Sequence, residues 1–296
     1  MRFSVVRYGG RQFVGVRLGD SLIDLARLDG GLPTDMVSVL AGGPHMVERI
    51  SLLLKSVPDP DLIPVSQVEW CLPISRPPKF VCLGLNYHEH AREANMEIPS
   101  YPSLFSRFPT SLIAHDSAII CPTVSRALDY EAELAVVIGK RGRHIAPDHA
   151  LEWVAGYTVF NDATVRDYQH KTTQWGPGKN FDATGGLGPE IVTPEELPAG
   201  ASGLSIMTRL NGQVVQQGNT RDMIFSVAHA VSLLSEFMTL EPGDVVAMGT
   251  PSGVGVARTP QLFMKHGDVC EVEIEGIGTL RNPIINEMSV RSGVKL

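Results

Sequence analysis

The chain has 296 residues, with 25 Lys and Arg against 32 Asp and Glu for a formal net charge of −7, and 43% of its residues are hydrophobic. That length supports one large core with a smaller companion, and the composition is that of a globular protein. An acidic chain with no local run of lysines and arginines has no electrostatic footprint for nucleic acid or anionic lipid, which argues against both as partners.

Arg2 and Arg7 interrupt the opening apolar stretch too early for a signal peptide. No later apolar run approaches a membrane span, so a cytoplasmic location is expected. Residues 3–8, 12–18 and 21–25 alternate apolar and polar positions between the turns Gly9-Gly10 and Gly19-Asp20, which predicts a small β-meander. Thr34 is the expected N-cap of a helical stretch that breaks at Gly42-Gly43. Val47, Ile50, Leu53 and Leu54 then mark one apolar stripe over 44–56. Pro58, Pro60, Pro64, Pro73, Pro77 and Pro78 make the next stretch a linker. Residues 1–70 therefore read as a small N-terminal α+β domain, and 71–296 as a larger one.

In the second part, Lys79 to Leu85 reads as a strand and Asn86 to Asn95 as helical. Further strands are expected at Glu131 to Gly139, Val154 to Phe160, Leu204 to Leu210, Gln213 to Gln217, Asp244 to Met248 and Val269 to Glu275. Asn211-Gly212 is a hairpin signal, because both residues tolerate the positive φ of a type I′ turn. One late helix is expected at Met223 to Met238. Many strands and few helices give a mixed α+β, mostly β class rather than a doubly wound sheet. Cys71, Cys82, Cys121 and Cys270 form no CxxC and read as reduced thiols.

Strand geometry puts Glu131 and Glu133 on one face, where two carboxylates can grip a hard cation. A solvated strand face is the plain alternative, and Glu271, Glu273 and Glu275 show the same alternation. The first pair has company that the second lacks. Asn161-Asp162 ends the next apolar strand, Arg166 and Gln169 follow, and Lys179 stands in Gly176-Pro177-Gly178-Lys179-Asn180-Phe181. Three carboxylates suit Mg2+ or Mn2+ better than zinc.

His90 and Glu93 are i,i+3 neighbours if their segment is helical, so the carboxylate can orient the imidazole as an acid–base dyad; a surface His/Glu pair is the alternative. His88-Glu89-His90 also admits a zinc reading of the amidohydrolase-barrel type, but the chain lacks the repeated strand–helix alternation that such a barrel requires. The glycine-rich Gly249-Thr250-Pro251-Ser252-Gly253 has no P-loop lysine and no GxGxxG spacing. It reads as a turn whose amides and Thr250 hydroxyl can receive a substrate carboxylate, or as a turn alone. Arg107 and Arg221 are candidate anion contacts or, equally, surface arginines.

Taken together, Tyr130-Glu131-Ala132-Glu133, Asn161-Asp162 with Arg166 and Gln169, Gly178-Lys179-Asn180-Phe181 and Gly249-Thr250-Pro251-Ser252-Gly253 resemble the fumarylacetoacetate hydrolase family over about residues 78–285. The resemblance implies a core of rolled β-sheets with a small N-terminal companion domain, and usually a homodimer. It implies Glu131, Glu133 and Asp162 as ligands of Mg2+ or Mn2+. It implies Lys179 as the active-site lysine, Arg166 and Gln169 as site-lining residues, and His90 with Glu93 as the dyad of the acylpyruvase-like members, carried on a lid. The founding hydrolase has a further acidic ligand where this chain has only Leu83 and Gly84, which points to the smaller acylpyruvase-like group. The implied activity is hydrolysis of the C–C bond of β-diketo acids such as acylpyruvates, through an enolate held at the metal. Oxaloacetate-type decarboxylation and ketonising isomerisation are alternatives on the same site, and a non-catalytic, metal-stabilised binding protein is the alternative of another class.

Overall fold

The structure is a computed structural model and describes residues 1–55, 62–93 and 95–288. Pro58 and Pro60 of the expected linker lie outside these residues. The expected meander forms from Arg2–Tyr8, Arg11–Leu18 and Ser21–Asp24. Helices Met36–Ala41 and Gly43–Leu54 follow, broken at Gly42 and Gly43 as the glycines predict. The cap of the first is Asp35 and not Thr34: the Asp35 carboxylate accepts the N–H of Ser38 at 2.9 Å.

The main sheet has 12 strands. Its central order runs from Arg2–Tyr8 through Gly185–Val192, Val154–Asp162, Ala132–Ile138 and Val245–Ala247 to Phe80–Gly84. The sheet draws on both parts of the chain: Arg2, Phe3 and Ser4 pair antiparallel with Val192, Ile191 and Glu190. One apolar cluster likewise holds Phe3, Val16 and Ile23 together with Phe80, Ala135 and Phe160. A second sheet has five strands, in the order Gln213–Asn219, Ser205–Leu210, Val269–Ile274, Gly278–Asn286, Ile119–Cys121. Asn211 and Gly212, at φ 53° and 78°, make the tight turn between its first two strands.

Ala132–Ile138 is buried along its whole length. Leu134, Val136 and Ile138 enter the cluster that also takes the helix Val227–Phe237, whereas Ala135 and Val137 enter the opposite one. This period of two places Glu131 and Glu133 on the second face, at the open end of the strand. Antiparallel pairing sets Ala132 opposite Asn161 and Glu133 opposite Phe160, and Asp162 donates its N–H to Glu131 O at 2.9 Å. The register therefore delivers three acidic side chains to one sheet end. All four cysteines are free thiols, and among the described residues no helix is long and apolar enough to cross a membrane.

Candidate metal centre and active site

Carboxylate oxygens of Glu131, Glu133 and Asp162 all lie within 4.8 Å of one another, and the three residues are buried. Their surroundings are strongly charged. Lys179 Nζ is 2.6 Å from Asp162 Oδ2 and 2.8 Å from Glu131 Oε2. Arg166 lies 2.6 Å from Glu131 Oε1 and 2.8 Å from Asp129 Oδ2. Arg107 Nη1 is 3.4 Å from Asp162 Oδ1. Burial pushes the Glu131 carboxyl upward, but the Lys179 and Arg166 cations outweigh it and hold it at about 2. Lys179 is raised despite burial, because Asp162 and Glu131 face its ammonium.

Glu133 is the exception. Burial, then repulsion from Asp162 and Glu131, drives its carboxyl well above the usual range, and its stabilising hydrogen bond is the Gly249 N–H at 3.0 Å. Asp162 Oδ1 is buried without a hydrogen-bond donor. A triad of hard oxygens with an orphaned acceptor and an under-neutralised carboxylate fits a divalent cation of the Mg2+ or Mn2+ type, and lacks the nitrogen or sulfur ligands that favour zinc.

His90 and Glu93 lie on the short helix His88–Glu93. His90 Nδ1 stands 3.2 Å from Glu93 Oε2, which leaves Nε2 for the cavity, and Glu93 Oε1 accepts the Gly253 N–H at 2.8 Å. Asn86 anchors the segment from below: its amide donates to Phe225 O and Met248 O and accepts from Phe225 N. The zinc reading of His88 and His90 fails geometrically, since His88 is exposed and the described residues gather a metal-type cluster only at the three carboxylates.

A cavity of about 120 Å³ joins the two halves, lined by His90, Glu93, Glu131, Glu133, Lys179 and Thr250 on its polar side. Phe105, Trp175, Met96 and Val254 are among its apolar walls. Trp175 closes down on Gly84, where a Cβ would sit 2.1 Å from the indole, so a side chain here would have to displace the tryptophan.

Several expected substrate contacts have other work. Arg166 and Gln169 do line the cavity, but the guanidinium is held by Asp129 and Glu131 and donates to Gln169 Oε1 at 3.0 Å. Arg107 is not an anion contact on the cavity wall; it is buried behind Asp162, against the face of Phe160. Arg221 does not line the cavity either, and its Nε donates to Asn219 Oδ1 in a separate recess with Ser202 and Met223. Glu273 is half-exposed and paired with Arg209, the solvated strand face that its alternation allowed.

Two functional supports went unread. Asp129 is fully buried and accepts from Arg166 Nε and from the N–H groups of Gly255 and Val256. The signal was present, because Asp129, Glu131 and Glu133 continue one alternation. Gln216 hydrogen-bonds both Thr250 and the backbone between the two glutamates, and no local pattern marks it.

Residues 79–285 match the family described as Fumarylacetoacetate (FAA) hydrolase C-terminal, and the chain belongs to that family. Among individual relatives, it is 40% identical to the mitochondrial oxaloacetate tautomerase Fahd2a of Rattus norvegicus over 269 residues, 90% of this chain and 85% of that one. It is 38% identical to the Homo sapiens mitochondrial oxaloacetate tautomerase FAHD2A over 289 residues, 95% and 91% of the two chains. The fold is similar to that of a fumarylacetoacetate hydrolase from Exiguobacterium antarcticum, with a TM-score of 0.83, 33% identity and coverage of 97% and 100%. It is also similar to maleylpyruvate hydrolase from Sphingobium sp. SYK-6 in complex with manganese (II) ion and pyruvate, with a TM-score of 0.81, 26% identity and coverage of 97% and 99%.

Proposed function

We propose that the protein interconverts the keto and enol forms of a small 2-oxo dicarboxylic acid, oxaloacetate, with Mg2+ or Mn2+ held by Glu131, Glu133 and Asp162. The observation that carries this reading is a glutamate-oriented imidazole opening on a cavity of about 120 Å³ that also reaches Glu131 and Glu133 of the triad. A four-carbon diacid fits that space, and the tautomerase names of the relatives at 38–40% identity support the same chemistry. The manganese and pyruvate named for the maleylpyruvate hydrolase structure support a divalent cation and a 2-oxo acid as ligands.

A divalent cation held by Glu131, Glu133 and Asp162 would supply Lewis-acid polarisation of a bound 2-oxo acid, which would make its C3 protons acidic. His90 Nε2, with Nδ1 held by Glu93, removes a C3 proton in one direction and returns it in the other. Lys179 offers an ammonium N–H to the negative charge that gathers on the C2 oxygen, which takes a proton from solvent to complete the enol and gives it back when the keto form is restored. Phe105, Trp175 and Met96 give the cavity an apolar wall beside these polar groups.

C–C hydrolysis of an acylpyruvate is the second reading, favoured by the same dyad, which can activate water. To decide, enol oxaloacetate is mixed with magnesium-loaded protein and the loss of enol absorbance is followed beside pyruvate release from acylpyruvates. The proposal expects enol decay to be accelerated and acylpyruvates to be cleaved at far lower kcat/KM. The reverse ranking would replace tautomerisation by hydrolysis.

A further inference from the structure

Thr250 lies on the cavity wall, and its Oγ1 accepts a hydrogen bond from Gln216 Nε2 at 3.0 Å. Gln216 belongs to the strand Gln213–Asn219 and is 1% exposed, with every atom of its amide in use. Oε1 accepts the Ala132 N–H at 3.1 Å and the hydroxyl of Thr208, its cross-strand partner, at 2.8 Å. Nε2 donates to Thr250 Oγ1 and to Pro251 O, both at 3.0 Å. A backbone N–H only donates and a carbonyl only accepts, so the amide cannot be flipped.

This fixed polarity dictates the neighbour's. With one lone pair of Thr250 taken by Nε2, the hydroxyl hydrogen points away from Gln216 and is left to donate elsewhere, the cavity that Thr250 lines included. Thr250 also follows Gly249, whose N–H binds the metal-ligand candidate Glu133, so Thr250 and the candidate metal centre share one cavity wall. We infer that Gln216 is a positioning residue that holds Thr250 as a hydrogen-bond donor to the carboxylate of a bound 2-oxo acid. The role rests on the 2-oxo-acid reading of the site and not on which reaction follows.

The probe is oxalate, which carries a carboxylate beside a second anionic oxygen, titrated by calorimetry into magnesium-loaded protein. Gln216→Glu keeps acceptors for Ala132 and Thr208 but draws the Thr250 hydrogen to itself, and should weaken oxalate by about 10–100-fold with Mg2+ affinity unchanged. Thr250→Val should match that loss, Thr250→Ser should stay within about threefold of wild type, and Gln216→Glu should add nothing in the Thr250→Val background. Should Gln216→Glu not fold, Gln216→Met decides: it frees the hydroxyl to turn to Pro251 O, and about a three- to tenfold loss is expected. Wild-type oxalate affinity in Thr250→Val or in Gln216→Met overturns this role alone, as does an undiminished effect of Gln216→Glu in the Thr250→Val background. Wild-type protein that binds no oxalate overturns the 2-oxo-acid reading itself.

Discussion

Glu93 accepts the backbone N–H of Gly253 at 2.8 Å through one oxygen while its other oxygen stands 3.2 Å from His90 Nδ1. The helix that carries His90 is thereby tied to the glycine turn that carries Thr250, so one carboxylate both orients the imidazole and joins two sides of the cavity. His90→Ala should lower kcat for enol–keto conversion by about 10²–10⁴. Glu93→Gln, which keeps an acceptor for Gly253, should lose less. Calorimetric Mg2+ affinity should be unchanged in both; wild-type kcat in His90→Ala would remove the imidazole from the chemistry.

The cation should depend on the three carboxylates and on nothing in the histidine segment. Glu131→Ala, Glu133→Ala and Asp162→Ala should each weaken Mg2+ binding by titration calorimetry, with Glu273→Ala as the unaffected control and His88→Ala indistinguishable from wild type. Unchanged affinity in all three carboxylate variants would dissolve the metal assignment.

How much of this was legible depended on whether the signal was local. The alternation of Glu131 and Glu133, the Asn161-Asp162 strand end and the His90/Glu93 spacing are short-range patterns, and strand pairing carried them to one place. The arginines were harder to place because a guanidinium's partner is set by the tertiary fold: Arg166 lines the cavity as expected but is held by Asp129 and Glu131, and Arg107, a candidate anion contact or surface arginine in sequence, is buried against Asp162. The N-terminal meander was legible as strands, but the pairing of Phe3 with Ile191 spans most of the chain and leaves no mark in either segment. Gln216 was invisible for the same reason, its partners coming from three different strands or turns.

Asp129 should behave as a structural anchor rather than a ligand. It is fully buried, pairs with Arg166 at 2.8 Å and receives the N–H groups of Gly255 and Val256. Asp129→Asn keeps the shape but leaves Arg166 without half of its countercharge, a change that typically costs about 3–5 kcal/mol. Urea unfolding should show that loss in the metal-free protein, and a midpoint equal to wild type would show that Glu131 alone suffices for Arg166.

The last prediction concerns Glu133 in the absence of metal. Burial and the neighbouring Asp162 and Glu131 raise its carboxyl well above the ordinary value, so the folded state holds this proton more tightly than the unfolded chain does. Its contribution to stability is therefore full below the unfolded carboxylate value of about 4.3 and is lost as the pH rises through the higher folded value. Glu133→Gln has no proton to lose. Stripped of metal by a chelator, the variant should melt close to wild type in acid and above it at neutral and alkaline pH, with the gap widening as pH rises. Added Mg2+ should reverse the order, raising wild-type Tm and leaving Glu133→Gln nearly where it was. A constant difference across the pH range would show that Glu133 is not the strained carboxylate of the triad, and equal stabilisation of both proteins by Mg2+ would show that the cation does not need it.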